Sequence, residues 1–163
     1  MGLIASPGNG AVVQSVAPRA DGGWVTGWNE PLDTLGNVAA YARMLDANGA
    51  PSGGQIPIGA GAIPTLAMVE KWSGGWSAIW LERTTPASSS TVKIRFYASG
   101  GSPVGNERVV ATVDLAGKVP YALANAEGFG RTFIALQFRD PGSSILGGFD
   151  HLSNDLRGIW VRP

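Results

Sequence analysis

Residues 21–28 read Asp-Gly-Gly-Trp-Val-Thr-Gly-Trp, and residues 73–80, 52 positions later, read Ser-Gly-Gly-Trp-Ser-Ala-Ile-Trp. The correspondence continues along the chain at the same offset. Residues 22–53 contain nine positions whose residue type recurs: Gly22, Gly23, Trp24, Trp28, Glu30, Arg43, Gly49, Pro51 and Gly53. Nine identities in order and without a gap are hard to obtain by chance in a chain with six tryptophans. The sequence therefore predicts a repeat protein.

The composition favours a compact chain with many turns. A length of 163 residues suits one domain with a sizeable core. Charged residues make up only 15%, and there are 24 glycines and 11 prolines, which suits tight turns and a surface covered by neighbouring subunits. Twelve basic residues balance twelve acidic ones, so nucleic acid is not expected as a partner.

Several site and membrane signals are absent from the sequence. There is no cysteine and only one histidine, and no acidic calcium-binding string occurs, so we predict no metal and no cofactor. The first residues lack the basic stretch and apolar run of a secretion signal. No apolar segment approaches the roughly 20 residues of a transmembrane helix, and we expect a soluble protein without membrane insertion.

Each of the first two repeats has the pattern of four β-strands. The expected strands are 12–17, 24–29, 38–45 and 55–58 in the first repeat, and 63–69, 76–81, 91–97 and 107–110 in the second. The pair Asn48-Gly49 suits the left-handed backbone of a tight turn. Four strands in about 50 residues predict one antiparallel sheet per repeat.

A third, diverged copy follows. Residues 119–123 resemble residues 63–67, residues 131–138 have the pattern of a second strand, and residues 158–162 form a closing strand. Thr132 and Leu136 stand where the earlier copies have tryptophan. We therefore expect a single domain, 1–163, with repeats at about 11–61, 62–113 and 114–163, in which residues 1–10 are available to complete the last sheet.

The pattern also resembles a known type of repeat. Residues 21–28 and 41–51 are similar to the Asp-Gly-Gly-aromatic-Val-x-x-Trp and Arg-x-x-Asp-x-x-Gly-x-Pro motifs in blade repeats of large bacterial surface and secreted proteins. The likeness covers residues 11–110, although Ser73 and Ala98 replace the two aspartates in the second copy. Those arrays are similar to β-propellers and usually serve adhesion or display, so the resemblance implies a blade-like fold.

Three repeats leave two architectures open. Propellers typically have at least four blades, so three blades would pair with another chain or stack in a larger particle. A β-trefoil or β-prism also uses three four-stranded units. The predicted fold class is therefore all-β, with three four-stranded antiparallel repeats that are either propeller-blade-like or arranged as a three-fold β-trefoil or β-prism.

The repeated aromatic and basic residues are the candidate binding site. Trp28 and Arg43, like Trp80 and Arg95, are 15 positions apart, so each arginine is expected opposite its tryptophan in a symmetric hairpin. An indole beside a guanidinium suits a sugar ring, and Trp72 is the expected exposed aromatic. The alternative interpretation is that these are core cross-strand pairs, which recur because the blade recurs.

The sequence predicts no catalytic residues. Glu30 and Glu82 recur, but they lie on different repeats, whereas a glycosidase needs two carboxylates about 5–10 Å apart. Asp150 and His151 are adjacent and therefore point apart, and no Gly-x-Ser-x-Gly elbow is present.

We therefore expect a non-enzymatic structural or adhesive module that assembles with other subunits on a particle surface, of phage virion or cell-envelope type. It is expected outside the cell or on the particle, as a homo-oligomer that buries repeat-edge strands or a face with Leu32, Leu35 and Ile145. A carbohydrate-binding lectin is the alternative, and a glycoside hydrolase-like enzyme is a remote one.

Overall fold

A computed structural model describes residues 12–32, 38–61, 64–72, 74–83, 89–114, 119–128, 131–139 and 155–161. These residues contain eleven β-strands and no helix, which confirms the all-β class. Sheet 1 consists of β1 (Val12–Pro18), β2 (Trp24–Pro31), β3 (Val38–Leu45) and β4 (Ile56–Gly61). Sheet 2 consists of β5 (Pro64–Trp72), β6 (Gly75–Arg83), β7 (Ser89–Ala98) and β8 (Pro103–Asp114). Sheet 3 consists of β9 (Val119–Gly128), β10 (Arg131–Arg139) and β11 (Asp155–Val161).

In each sheet, strands that are consecutive in the chain are antiparallel neighbours. Sheets 1 and 2 have four strands, as the repeat predicts, and sheet 3 has three described strands. The predicted contribution of residues 1–10 to the last sheet lies outside the described residues, as do Leu35 and Ile145. No helix among the described residues is long and apolar enough to cross a bilayer.

Sheets 1 and 2 are equivalent residue by residue in their central strands. Trp24 lies opposite Leu45 in sheet 1, and Trp76 lies opposite Tyr97 in sheet 2, at the same offset of 52. The register between the third and fourth strands shifts after Ala40 in sheet 1 and after Val92 in sheet 2, which are also equivalent. The repeat in the sequence is therefore a repeat of strand pairing.

The glycines of the repeat explain how each sheet begins. A Cβ atom at Gly23 would lie 2.5 Å from the carbonyl oxygen of Leu45, and one at Gly75 would clash with the carbonyl oxygen of the equivalent Tyr97. Only glycine lets the chain enter the second strand so close to the third. In the turns after the third strand, Gly49 and Gly101 have φ of 79° and 88°, where other residues are strained.

Sheet 2 lies between sheets 1 and 3. One side of sheet 2 packs against sheet 1 in a cluster that comprises Ala17, Val25, Ala40, Ala42, Ile58, Trp76, Ala78, Trp80 and Tyr97. The other side packs against sheet 3 in a cluster that comprises Ile79, Leu81, Val92, Ile94, Phe96, Val113, Ile134 and Leu136. The alternation of side chains along β6 and β7 separates the two clusters.

The first strands of the sheets also lie side by side. Strand β5 contacts β1 on one side and β9 on the other. The described strands of sheet 1 and those of sheet 3 share no substantial contact. In the described part of the chain the three sheets therefore form a stack with two ends.

Candidate interaction surface

Each sheet has two sides, and the repeat makes them comparable. We call the side that packs on the next sheet along the chain the front face, and the opposite side the back face. The back face of sheet 2 carries Trp76 and Trp80, and its front face carries Ile79 and Leu81. The ends of the stack are therefore the back face of sheet 1 and the front face of sheet 3.

The front face of sheet 3 exposes an aromatic pair. Phe133 and Trp160 lie opposite each other on β10 and β11, with ring centroids 4.8 Å apart and ring planes inclined by 50°. Trp160 is 65% exposed. A Cβ atom at Gly158 would lie 2.6 Å from the Phe133 ring, so the glycine makes room for that ring.

The equivalent positions in the interior of the stack are covered. Val25 on the front face of sheet 1 is fully buried, and Ser77 and Phe96 on the front face of sheet 2 are buried as well. Val25 and Phe96 lie under the following sheet, whereas no following sheet covers Phe133 and Trp160 among the described residues. The pair thus lies where the stack would continue.

The back face of sheet 1 is open around Trp24. Trp24 and Trp76 occupy equivalent positions, yet Trp24 is 41% exposed, whereas Trp76 is fully buried and stacks on Tyr97 with ring centroids 4.1 Å apart and planes 5° from parallel. Val16, which lies opposite Thr26 on the same face, is also exposed. The difference arises because Trp76 is covered by sheet 1.

The same face is closed around Trp28. Trp28 is buried, its Nε1 donates a hydrogen bond of 2.8 Å to Glu30 Oε1, and its ring lies 6.0 Å from that of Tyr41. Leu45 and Thr26, which lie opposite Trp24 and Val16 on this face, are buried as well, so the exposed part of the back face consists of the Trp24 and Val16 side chains.

The tryptophans proposed to bind glycans lie inside the protein. Trp28 and Trp80 are both buried, and Trp80 lies under Gly59, at which a Cβ would be 2.7 Å from the indole nitrogen. Neither indole presents a face to solvent, which agrees with the alternative interpretation as core residues. Trp72 ends β5, and its side chain is outside the described part of the structure.

The two arginines lie two residues away from the predicted register. Arg43 is opposite Thr26, and Arg95 is opposite Ala78. The partners of the tryptophans are instead Tyr41 for Trp28 and Lys93 for Trp80.

At the end of this hairpin Pro31 pairs with Val38, whereas a pairing of Trp28 with Arg43 would place Pro31 opposite Ala40. Arg43 Nε donates to the carbonyl oxygen of Gly53 at 3.2 Å, and Arg95 Cζ lies 5.9 Å from the Tyr97 ring centroid. Both contacts are local: Gly53 lies in the connection between β3 and β4, and Tyr97 is two residues from Arg95 on β7.

The repeated glutamates have different partners. Glu30 accepts the hydrogen bond from Trp28, whereas Glu82 Oε2 lies 2.8 Å from Lys93 Nζ, which also lies 3.0 Å from Glu107 Oε1. Burial disfavours the charged form of Lys93, but hydrogen bonds and the charges of the two glutamates outweigh this and raise its pKa. Glu82 and Glu107 thus join β6 and β8 to β7 through Lys93, whereas the hydrogen bond of Glu30 lies within β2.

No three of the His, Asp and Glu side chains in the described part of the chain come together as a metal site would require. The residues Asp150 and His151 lie outside the described part.

The exposed end residues were missed by reasoning from the sequence. Phe133 alternates with Ile134 along β10, so the strand pattern shows that the two side chains lie on opposite faces. Which face is covered depends on the neighbouring sheet, and no local pattern reports that. The pairing of Phe133 with Trp160 joins segments separated by 27 residues.

Comparison with known proteins finds no family model, no curated protein and no solved structure that matches the chain. The resemblance to bacterial blade repeats therefore stays a prediction from the residues themselves.

Proposed function

We propose that this chain is a non-enzymatic structural or adhesive module that assembles with other subunits on the surface of a virion or a cell. The observation that carries the proposal is the Phe133–Trp160 pair on the front face of sheet 3. The equivalent residues Val25, Ser77 and Phe96 are buried and Met44 is half-buried, so the pair occupies a position that the following sheet covers in the other two sheets. An exposed tryptophan that packs on a half-buried phenylalanine at such a position favours protein association.

The stacking supports a propeller-like arc for this module. Sheet 1 presents its front face to the back face of sheet 2, and sheet 2 presents its front face to sheet 3 in the same sense. A closed three-fold domain would bring sheet 3 against sheet 1. The described strands of those two sheets share no substantial contact, which favours an open arc over a β-trefoil or β-prism.

The native mass tests the proposal. We expect size-exclusion chromatography with light scattering to give a mass above the 16.9 kDa of one chain, and we expect Trp160→Glu to lower it towards that value. Trp160 is largely exposed, so this variant is expected to keep the far-ultraviolet circular dichroism of the wild type. A wild type that remains monomeric at the highest soluble concentration would count against an assembly module.

Carbohydrate binding is the second candidate because the indole of Trp160 offers an exposed flat surface. It predicts a glycan-array signal that is lost in Trp160→Glu. A monomeric wild type with such a signal would favour the lectin. A glycan signal that Trp160→Glu leaves intact would place the site elsewhere.

A further inference from the structure

We infer that the partner on the front face of sheet 3 is the back face of sheet 1 in a second copy of this chain. This inference rests on the proposed assembly function and names its partner. The two faces lie at opposite ends of one stack, so the contact is head-to-tail.

The repeat identifies which residues would meet. The cross-strand pair Val25/Met44 on the front face of sheet 1 is equivalent to Ser77/Phe96 in sheet 2, by the offset of 52. Thr132 stands at the position of Trp76, so Ser77/Phe96 corresponds to Phe133/Trp160 in sheet 3. On the back faces, Trp24/Leu45 is likewise equivalent to Trp76/Tyr97.

The contact between sheets 1 and 2 shows how these pairs meet. Val25 belongs to the same buried cluster as Trp76 and Tyr97. Gly101, in the turn after Tyr97, lies so close to Met44 that an added Cβ would be 3.0 Å from its Cε. The front-face pair of one sheet thus lies against the back-face pair of the next.

Continuing the stack by one step places Trp24 of the second copy against Phe133 and Trp160. Each of these tryptophans is exposed in one chain, at 41% for Trp24 and 65% for Trp160. In sheet 2 their equivalents lie on joined faces and are buried: Trp76 for Trp24, and Phe96 for Trp160. A contact between chains that repeats the contact between sheets 1 and 2 therefore places Trp24 of one copy against Trp160 of the other, and these are the two exposed tryptophans among the described side chains.

The head-to-tail contact accounts for the exposed residues at both ends of the stack, whereas a symmetric contact between sheet 3 of one copy and sheet 3 of another accounts for those at one end. A symmetric contact through Phe133 and Trp160 alone would leave Trp24 and Val16 exposed. A head-to-tail contact is heterologous and closes into a ring when the rotation allows. Two copies supply six described sheets, within the roughly four to eight of closed propellers, so the expected assembly is a dimer with two identical head-to-tail contacts.

The test uses two variants that damage opposite ends, Trp24→Glu and Trp160→Glu, with Val109→Glu as the control. Val109 is 59% exposed and lies on β8 of sheet 2, whereas the end pairs lie on sheets 1 and 3. Each protein is measured alone and in an equimolar mixture by sedimentation velocity. Far-ultraviolet circular dichroism of each variant serves as the check that it folds.

We expect the wild type and the Val109→Glu variant to sediment at twice the 16.9 kDa monomer mass. Each end variant alone should show an apparent dissociation constant raised by about tenfold or more, as for an aromatic anchor at an interface. In the mixed dimer one contact joins the intact Trp160 of one variant to the intact Trp24 of the other, and the second contact joins the two substituted positions. The mixture should therefore show more dimer than either variant alone and less than the wild type, because neither variant alone has an intact contact. Such recovery is specific to a contact between two different faces.

Other outcomes separate the two proposals. If Trp24→Glu still dimerises while Trp160→Glu does not, the head-to-tail contact is refuted and the assembly function stands. A mixture that shows no more dimer than either variant alone has the same meaning. A wild type that is monomeric at every concentration refutes both.

Discussion

Trp24 and Trp76 are the same residue at equivalent positions in two sheets, and only one of them is covered. Trp76 is fully buried and stacked on Tyr97, so Trp76→Ala should destabilise the protein by about 3–5 kcal/mol. Trp24 is 41% exposed, so Trp24→Ala removes only part of that burial, and we expect about 1–2 kcal/mol. The difference between the two variants measures the contribution of the neighbouring sheet.

Urea unfolding followed by far-ultraviolet circular dichroism is the assay. Both substitutions are made in the Trp160→Glu background, so that association does not add to the measured stability. With an m-value of about 2 kcal/mol/M, the midpoint should fall by roughly 2 M for Trp76→Ala and by about 0.5–1 M for Trp24→Ala. If Trp76→Ala does not fold, Trp76→Phe and Trp24→Phe should show the same order. Equal losses for the two positions, or a larger loss at Trp24, would refute the stacking of sheet 2 on sheet 1.

Three further predictions concern the interior of the stack. Gly75→Ala should lower the melting temperature strongly, because the added Cβ would clash with the carbonyl oxygen of Tyr97. The control Gly100→Ala, whose added Cβ meets no atom within 4 Å, should leave the melting temperature nearly unchanged. Equal melting temperatures for the two variants would contradict this prediction. Arg19→Met should cost about 1–2 kcal/mol in urea unfolding, because Arg19 Nη2 donates to the carbonyl oxygen of Ser99 at 2.8 Å and so joins sheet 1 to the turn of sheet 2; no loss would mean that this link is not formed in solution. The folded-state pKa of Lys93 is raised, so its stabilisation is complete below the unfolded pKa and is lost as the pH rises through the folded one. The wild type should therefore lose more stability above about pH 10.5 than Lys93→Met, as measured by urea midpoints across that range.

The sequence predicts the strands and turns well because their causes are local. The turns after β3 and β7 need glycine with positive φ, and Gly49 and Gly101 mark both. The same turns close through backbone hydrogen bonds, from Gly49 to Asp46 and from Gly101 to Ala98. Strand β8 is longer than predicted because its pairing resumes directly after the turn, where Pro103 lies opposite Tyr97.

The candidate site could not be predicted in the same way. A repeated tryptophan has the same local pattern whether it is exposed or buried, and Trp24 and Trp76 differ only in what lies above them. The expected pairing of Trp28 with Arg43 failed because a shift of two residues in a hairpin preserves the face of every side chain. Periodicity therefore reports the face of a residue correctly and leaves its cross-strand partner undetermined.

A stack in which every front face covers the next back face always ends in one front face and one back face that have no partner within it. Repeat proteins commonly protect such ends with terminal repeats that have a polar outer face. The described ends of this stack carry Val16 and Trp24 on one side and Phe133 and Trp160 on the other, all apolar. Apolar ends would make a lone stack prone to non-specific association, whereas they are required if the ends are joined. The apolar side chains at the two ends thus favour a contact between two chains over a polar terminal surface, and the contact between sheets 1 and 2 indicates the geometry of that contact.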